Sequence, residues 1–179
     1  QTYAYLDHQS AADYCKDVND PAYGALYRQS IPTQEIANQI LEHHGEHPMD
    51  LVALGPGDGG LEIGLVQALI GIRPDAEFDI RFYLLDISQP LLSRAHRNAK
   101  DKLEQNNRVV VVAMQGNFHQ LPYFEQIFYS PSRRNRVFTM VGLTFGNLDD
   151  EIRFLTGAFS IARKGDLLVL DFNLAHTQS

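Results

Sequence analysis

The chain is short of cysteine and of positive charge. Cys15 is the single cysteine among 179 residues, which excludes an internal disulfide framework and suits a reducing compartment. Set in a polar, tyrosine-rich segment, it reads as an inert thiol rather than a nucleophile. Lys and Arg number 15 against 22 Asp and Glu, a formal net charge of -7. No basic stripe is available to offset phosphates, so nucleic acid is not expected as a partner. Arg133, Arg134 and Arg136 cluster locally and read as a solvated loop. No apolar run reaches membrane-spanning length, so no membrane association is expected. The first residues, Gln-Thr-Tyr-Ala-Tyr-Leu-Asp-His, lack the basic region and apolar stretch of a secretory signal. They also lack an initiator methionine, and the expectation is a processed piece or an excised part of a longer chain. Repeats and low-complexity segments are absent. The expected setting is cytoplasmic.

What is present is enough apolar residue, 44%, for one continuous core. The most informative stretch is Leu51-Val-Ala-Leu-Gly-Pro-Gly-Asp-Gly-Gly-Leu-Glu-Ile. It reads as a buried strand, then a glycine-rich turn, then a helix. Gly55, Gly57, Gly59 and Gly60 leave the turn nearly bare, so a ligand can approach backbone and the helix N-terminus. Further on, a second apolar strand ends in an acid, Phe82-Tyr-Leu-Leu-Asp86. Glycine loop, helix, strand and terminal carboxylate is how an open parallel sheet holds a nucleoside. Gly55-x-Gly57-x-x-Gly60 also matches the dinucleotide pattern, and a glycine turn serving only helix–strand packing is a third reading. Pro56 has no N–H for a phosphate, and Asp58 would repel a pyrophosphate. Both favour a ligand that carries a cation, and S-adenosylmethionine, with its sulfonium and ammonium groups, fits.

Residues 1–48 are expected to form a helical lid segment and residues 49–179 the cofactor-binding core. In the first, a short helix is predicted at 9–18 and another after Thr33 as N-cap, with Ile36, Ile40 and Leu41 on one face up to Gly45. In the second, strands are predicted at 50–54, 79–85, 109–114, 136–141 and 167–170. The helix after the glycine loop presents Leu61, Leu65, Ala68, Leu69 and Ile72 at spacings of three and four. Ser88 caps the next helix, whose stripe is Leu92, Ala95, Ala99 and Leu103. The unbroken run Val109–Met114 predicts a strand buried on both faces. Asp149 or Asp150 caps a last helix expected to bury Ile152, Leu155, Phe159 and Ala162 and to stop at Gly165. Alternation of this kind predicts an α/β fold, a doubly wound, mostly parallel sheet. A sheet of this class usually continues past strand five, so the core is expected to be truncated there.

Ligands of such sheets sit above the carboxyl ends of the strands. Those ends offer the glycine loop with Gly55, Gly57 and Asp58; Asp86 and Ile87; Asn117 and Phe118; Gly142, Thr144 and Asn147; and Asp171 with Asn173. Asp86 can accept from ribose hydroxyls. Asn117 can read an adenine edge, and Phe118 can stack on its face. Asn117 and Asn147 are equally compatible with ordinary turn chemistry.

In order, Leu54-Gly-Pro-Gly-Asp58, Asp86-Ile-Ser88, Gly116-Asn-Phe118, Gly142-Leu-Thr-Phe-Gly-Asn147 and Leu167-Leu-Val-Leu-Asp171 resemble the class I S-adenosylmethionine-dependent methyltransferases. Among these the chain most resembles the histidine-specific, ergothioneine-biosynthesis type, over residues 49–174. The resemblance implies a Rossmann-like core, S-adenosylmethionine as cofactor and a small molecule or amino acid as methyl acceptor. It implies cofactor contacts from Gly55, Gly57, Asp58, Asp86, Ile87, Asn117, Phe118 and Gly142, and substrate contacts from Thr144 and Asn147. The chain departs from the class at Ala53, where an acid is common, and at Asn117, where the adenine reader is Asp. The family's Tyr-Tyr-x-x-Arg segment has only a loose echo in Tyr27-Arg28 and Glu35, and its C-terminal substrate domain has no counterpart here. A missing C-terminal domain or a protein partner is therefore expected to complete the site.

Methyl transfer needs positioning more than side-chain chemistry. No catalytic base is assigned; Asp171 and Tyr27 are the candidates, and a structural role suits both better. His43-His44-x-x-His47 lacks a matched partner ligand and is broken by Gly45 and Pro48, so no metal is expected and a solvated helix end is the reading. Two other functions stay open: an NAD-dependent oxidoreductase using the glycine loop and Asp86, and a non-catalytic S-adenosylmethionine-binding domain.

Overall fold

The computed structural model describes residues 5–23, 31–75, 77–103, 105–128, 134–142 and 144–171. Tyr3, Tyr27, Arg28, Arg133 and Asn173 lie outside the described residues. The helices are α1 (His8–Asn19), the single turn α2 (Pro21–Tyr23), α3 (Thr33–His44), α4 (Gly60–Ile72), α5 (Gln89–Leu103) and α6 (Glu151–Thr156). The strands are β1 (Met49–Leu54), β2 (Ile80–Asp86), β3 (Val109–Gln115), β4 (Asn135–Met140) and β5 (Leu167–Leu170). Short 3-10 segments follow β3, at Phe118–Phe124, and α6, at Ala158–Ile161.

All five strands are parallel, in the order β3-β2-β1-β4-β5. The chain runs outward from β1 through β2 to β3, then returns to the other side of β1 for β4 and β5. That reversal beside β1 makes the switch point where such sheets bind ligands. The register brings Leu54 opposite Leu85 and Asp86 opposite Gln115, so the strand ends converge on one edge.

Strand alternation divides the core in two. Met49, Leu51 and Ala53 face α3, α4 and α5 with Ile80, Phe82, Leu84 and Val137. Val52 and Leu54 face the opposite layer, where Leu121, Phe154, Ala158 and Ile161 pack on Phe138 and Met140. β1 is buried at every position, as expected of the central strand. At its start Asp50 is buried too, and Arg134 answers it at 2.6 Å while also reaching Asp79 at 2.7 Å and the Met49 carbonyl. Arg136 is likewise buried, bonded to Asp166 and to the Ile161 carbonyl. Arg134 and Arg136 are therefore structural rather than part of a solvated loop: their guanidiniums tie strand starts together at the end of the sheet opposite the glycine loop.

Several element expectations are met. Asp150 caps α6, accepting from Arg153 N at 2.8 Å, and the α5 stripe Leu92, Ala95, Ala99 and Leu103 is buried. Others are corrected. β3 lies at the edge and is mostly accessible, with Val110 55% exposed. Its valine run records strand preference, not burial on both faces. α6 ends at Gly157, and the chain tightens into a 3-10 turn, which rotates the apolar face. Phe154, Ala158 and Ile161 are buried, while Ile152 is 75% exposed and Leu155 41%. α4 buries Glu62, Ile63, Leu65, Val66 and Leu69, a face rotated from the predicted one, because its sequence is apolar almost all round. Thr33 is the first residue of α3 rather than its cap. His44 is buried, with burial holding its pKa below the usual histidine value, so the end of α3 is not wholly solvated.

Candidate functional site

The glycine loop is built from backbone that side chains rarely adopt. Gly55 and Gly57 have φ of 65° and 59°. At Gly55 a Cβ would lie 3.0 Å from the Thr144 methyl and 3.2 Å from the Phe118 ring. The turns after β1, β3 and β4 therefore meet at this residue. The Thr144 hydroxyl donates to the Gly55 carbonyl at 3.3 Å and to Val141 O at 3.1 Å, tying the β4 turn to the loop. At Gly57 a Cβ would stand 2.2 Å from the Tyr14 hydroxyl. Tyr14, on α1, thus rests directly on the loop. α1 is held there by Ser88, whose hydroxyl donates to the Tyr5 carbonyl, and by the Tyr5–Tyr14 ring contact at 5.0 Å. Cys15 is buried beside Ala11 and Leu91 in the same α1–α5 contact.

The remaining strand ends carry polar groups of different kinds. Asp86 is buried and accepts from Ser88 N at 2.8 Å. Desolvation pushes its pKa up to about 6. Ser88 in turn accepts from Leu91 N at 3.4 Å, as its capping role predicts. Ile87 is half-buried, and its carbonyl accepts from the Gln115 amide at 3.5 Å. Asn117 accepts from His119 N at 2.9 Å, so its carbonyl oxygen serves the turn. Phe118 is held edge-on to Phe154, centroids 6.0 Å apart. Gly142 N donates to Asp171 Oδ2 at 3.0 Å, which gives Asp171 a part in holding the β4 turn. Asn147 is exposed on the 3-10 turn Phe145–Asn147. Asp58 is buried, its Oδ1 accepting from Gly60 N at 3.0 Å, and its carbonyl accepts from the Asn98 amide.

The residue that sequence reasoning missed is Glu62. It lies in the first turn of α4 and is 2% exposed. Its Oε1 has no hydrogen-bond partner. Burial first, then the charges of Asp58, Asp171 and Asp86, push its pKa up to about 8. The available signal was a lone acid inside an otherwise apolar helix start, four residues after Asp58. Tyr14 was missed as well, since nothing in the sequence brings α1 to the loop. Asp58, Asp86 and Asp171 lie close enough to Glu62 for their charges to raise its pKa, so the glycine loop is flanked by acids. Acids gathered in this way favour a cation and oppose a diphosphate. Among the described residues no group of three or more His, Cys, Asp or Glu is placed to hold a metal ion.

Residues 31–179 match the family model of the histidine-specific, SAM-dependent methyltransferases, SAM being S-adenosylmethionine. The chain belongs to that family. Its cofactor is S-adenosylmethionine, and the acids beside the loop suit the positive charge of this group. Tyr14 stands where a side chain at Gly57 would go, and the orphaned Glu62 oxygen lies near the carboxylates of Asp58, Asp86 and Asp171, where a cation is favoured. The chain is similar in fold to magnesium protoporphyrin IX methyltransferase from Synechocystis PCC 6803. With S-adenosylhomocysteine bound, that structure gives a TM-score of 0.54 at 14% identity, over 88% of this chain and 65% of that one. With S-adenosylmethionine bound, the values are 0.49, 16%, 80% and 58%. The chain thus spans less than two thirds of the length of these structures. No curated protein matches the sequence closely. Among the described residues no helix is long and apolar enough to cross a membrane.

Proposed function

We propose that this chain is the cofactor-binding core of an S-adenosylmethionine-dependent methyltransferase acting on a small molecule or amino acid. The observation that carries the reading is the meeting of three strand-end turns at Gly55, beside Asp86 and the buried acids. When bound, the cofactor supplies an activated methyl group. Asp86 accepts from the ribose hydroxyls, with Ile87 alongside. Asn117 and Phe118 take the adenine, one by its amide and one by its ring face. Gly55, Gly57, Asp58 and Gly142 line the approach to the methionyl end.

Thr144 and Asn147 face the acceptor. The transfer is an in-line displacement, so the work of the chain is to hold the acceptor in line and keep water out. Residues 1–48 serve as a lid and wall: Tyr14 of α1 covers the loop, and α3 braces α4 through Ala37, Ile40 and Leu41. A further domain or a protein partner completes the acceptor site. The acid excess disfavours nucleic acid as partner, and the lone cysteine suits the cytoplasm. An oxidoreductase reading is disfavoured because Pro56 and the acids oppose a pyrophosphate.

Titration calorimetry tests the proposal. The chain should bind S-adenosylhomocysteine and ignore NAD, and labelled methyl should pass from S-adenosylmethionine to an acceptor in a panel that includes free histidine. Binding of NAD with no response to S-adenosylhomocysteine would sink the proposal. Binding without transfer to any acceptor would support the non-catalytic alternative.

A further inference from the structure

We infer that Glu62 makes this site sensitive to the charge of its cofactor, favouring cationic S-adenosylmethionine over the neutral S-adenosylhomocysteine left after transfer. The inference rests on the methyltransferase reading and adds to it a residue and a reason for product release. S-adenosylmethionine carries a sulfonium, an ammonium and a carboxylate, and so a net positive charge. S-adenosylhomocysteine has lost the sulfonium charge and is neutral overall.

Glu62 is almost completely buried, yet one of its carboxyl oxygens has no partner. A buried carboxylate is costly unless a cation or several donors answer it. Its own backbone N–H, in the first turn of α4, is one donor. The charges it feels are those of Asp58 in the glycine loop, Asp86 at the end of β2 and Asp171 after β5. All are acids. On the helices that pack against α4, the charged side chains of α3 (Glu35 and Glu42) and of α5 (Arg94, Arg97, Lys100, Asp101 and Lys102) are exposed; of their histidines, His43 is exposed, His96 half-buried and His44 buried. Among the described residues no cation pairs with Glu62. A leucine would fill the same space in this apolar helix without an orphaned oxygen. The missing partner is therefore a positive charge brought from outside, on the side of the helix where the loop and strand ends converge.

Two consequences follow. Without cofactor, Glu62 holds its proton at neutral pH, since its pKa is pushed up to about 8. A cationic ligand favours the carboxylate, so binding of S-adenosylmethionine expels that proton to solvent. Once the sulfonium has become a thioether, the favourable pairing weakens, and the product is held less firmly.

Calorimetry in buffers of different ionisation enthalpy tests this on the wild-type chain and on Glu62→Gln. Wild type should release most of one proton on binding S-adenosylmethionine at about pH 7 and distinctly less on binding S-adenosylhomocysteine. The affinity gap between the two ligands should widen as pH rises toward that value. Glu62→Gln should lose about tenfold or more in affinity for S-adenosylmethionine. It should keep its affinity for S-adenosylhomocysteine and abolish the difference in proton release. Equal proton release with both ligands overturns the inference, as does a mutant that weakens both alike or neither. The wild-type proton count decides the matter even where the variant does not fold. If wild type binds neither ligand, the methyltransferase reading itself fails, and this is distinct from a failure of Glu62 alone.

Discussion

Asp86 occupies the last position of β2, where strand geometry ends and a carboxylate can turn toward the loop. Asp86→Ala should weaken S-adenosylhomocysteine by roughly tenfold to a hundredfold, the loss expected when hydrogen bonds to a charged acceptor disappear. Calorimetry beside a thermal melt would separate this from unfolding. Because desolvation pushes Asp86 up to about 6, its contribution to ribose binding should fade as pH drops through that value. A pH series of dissociation constants would show it. Asn147 offers a different test. Asp150, not Asn147, caps α6, so Asn147→Ala should leave the melting temperature and cofactor affinity in place while depressing turnover. A loss confined to stability would retire Asn147 as an acceptor residue. At this scale the sequence was legible where a residue's chemistry is local. Glycines that need positive φ and an acid ending an apolar strand announce themselves. Glu62 and Tyr14 did not, because their significance comes from burial and contact set by elements distant along the chain.

At the scale of elements, the alternation of strands and helices was readable because each carries its own period. The phase of a helix was not always readable. α6 was assigned its apolar face as though it ran unbroken to Ala162, whereas Gly157 interrupts it and turns the buried side to Phe154. Phe154→Ala should therefore cost about 3–5 kcal/mol, and Ile152→Ala should stay within about 0.5 kcal/mol. Urea unfolding of the two variants checks the assignment, and a reversed order would restore the unbroken helix. Arg134 shows the same limit. Its neighbours in sequence suggested a polar loop, but its partners Asp50 and Asp79 precede it by many residues. Removing one side of a buried pair typically costs 3–5 kcal/mol, so Arg134→Ala should fall at about that size, discounted because Asp79 is 46% exposed. A loss near zero in urea would mean the pair is not buried in solution.

For the whole molecule, the acids at the sheet edge link stability to pH. Glu62 and Asp86 both have pKa values raised above those of ordinary carboxyls. Their contribution is fully present below the ordinary carboxylate range and is lost as pH rises through about 6 for Asp86 and about 8 for Glu62. His44 and His119, held below the usual histidine value by burial, act the other way, and their contribution is lost as pH falls. The cofactor-free chain should thus lose melting temperature between neutral and mildly alkaline pH, and Glu62→Gln should flatten that limb. An alkaline limb unchanged by the substitution would place its cause elsewhere. The order of strands around β1 has one more consequence. Among the described residues β3 ends the sheet with Val110 in the open, so there the row of valines presents an unpaired edge to a neighbouring chain. Such an edge is a template for self-association on warming. A lysine at position 110 would act as a gatekeeper, and light scattering during a thermal ramp should show Val110→Lys clouding later than the parent chain while melting at the same temperature.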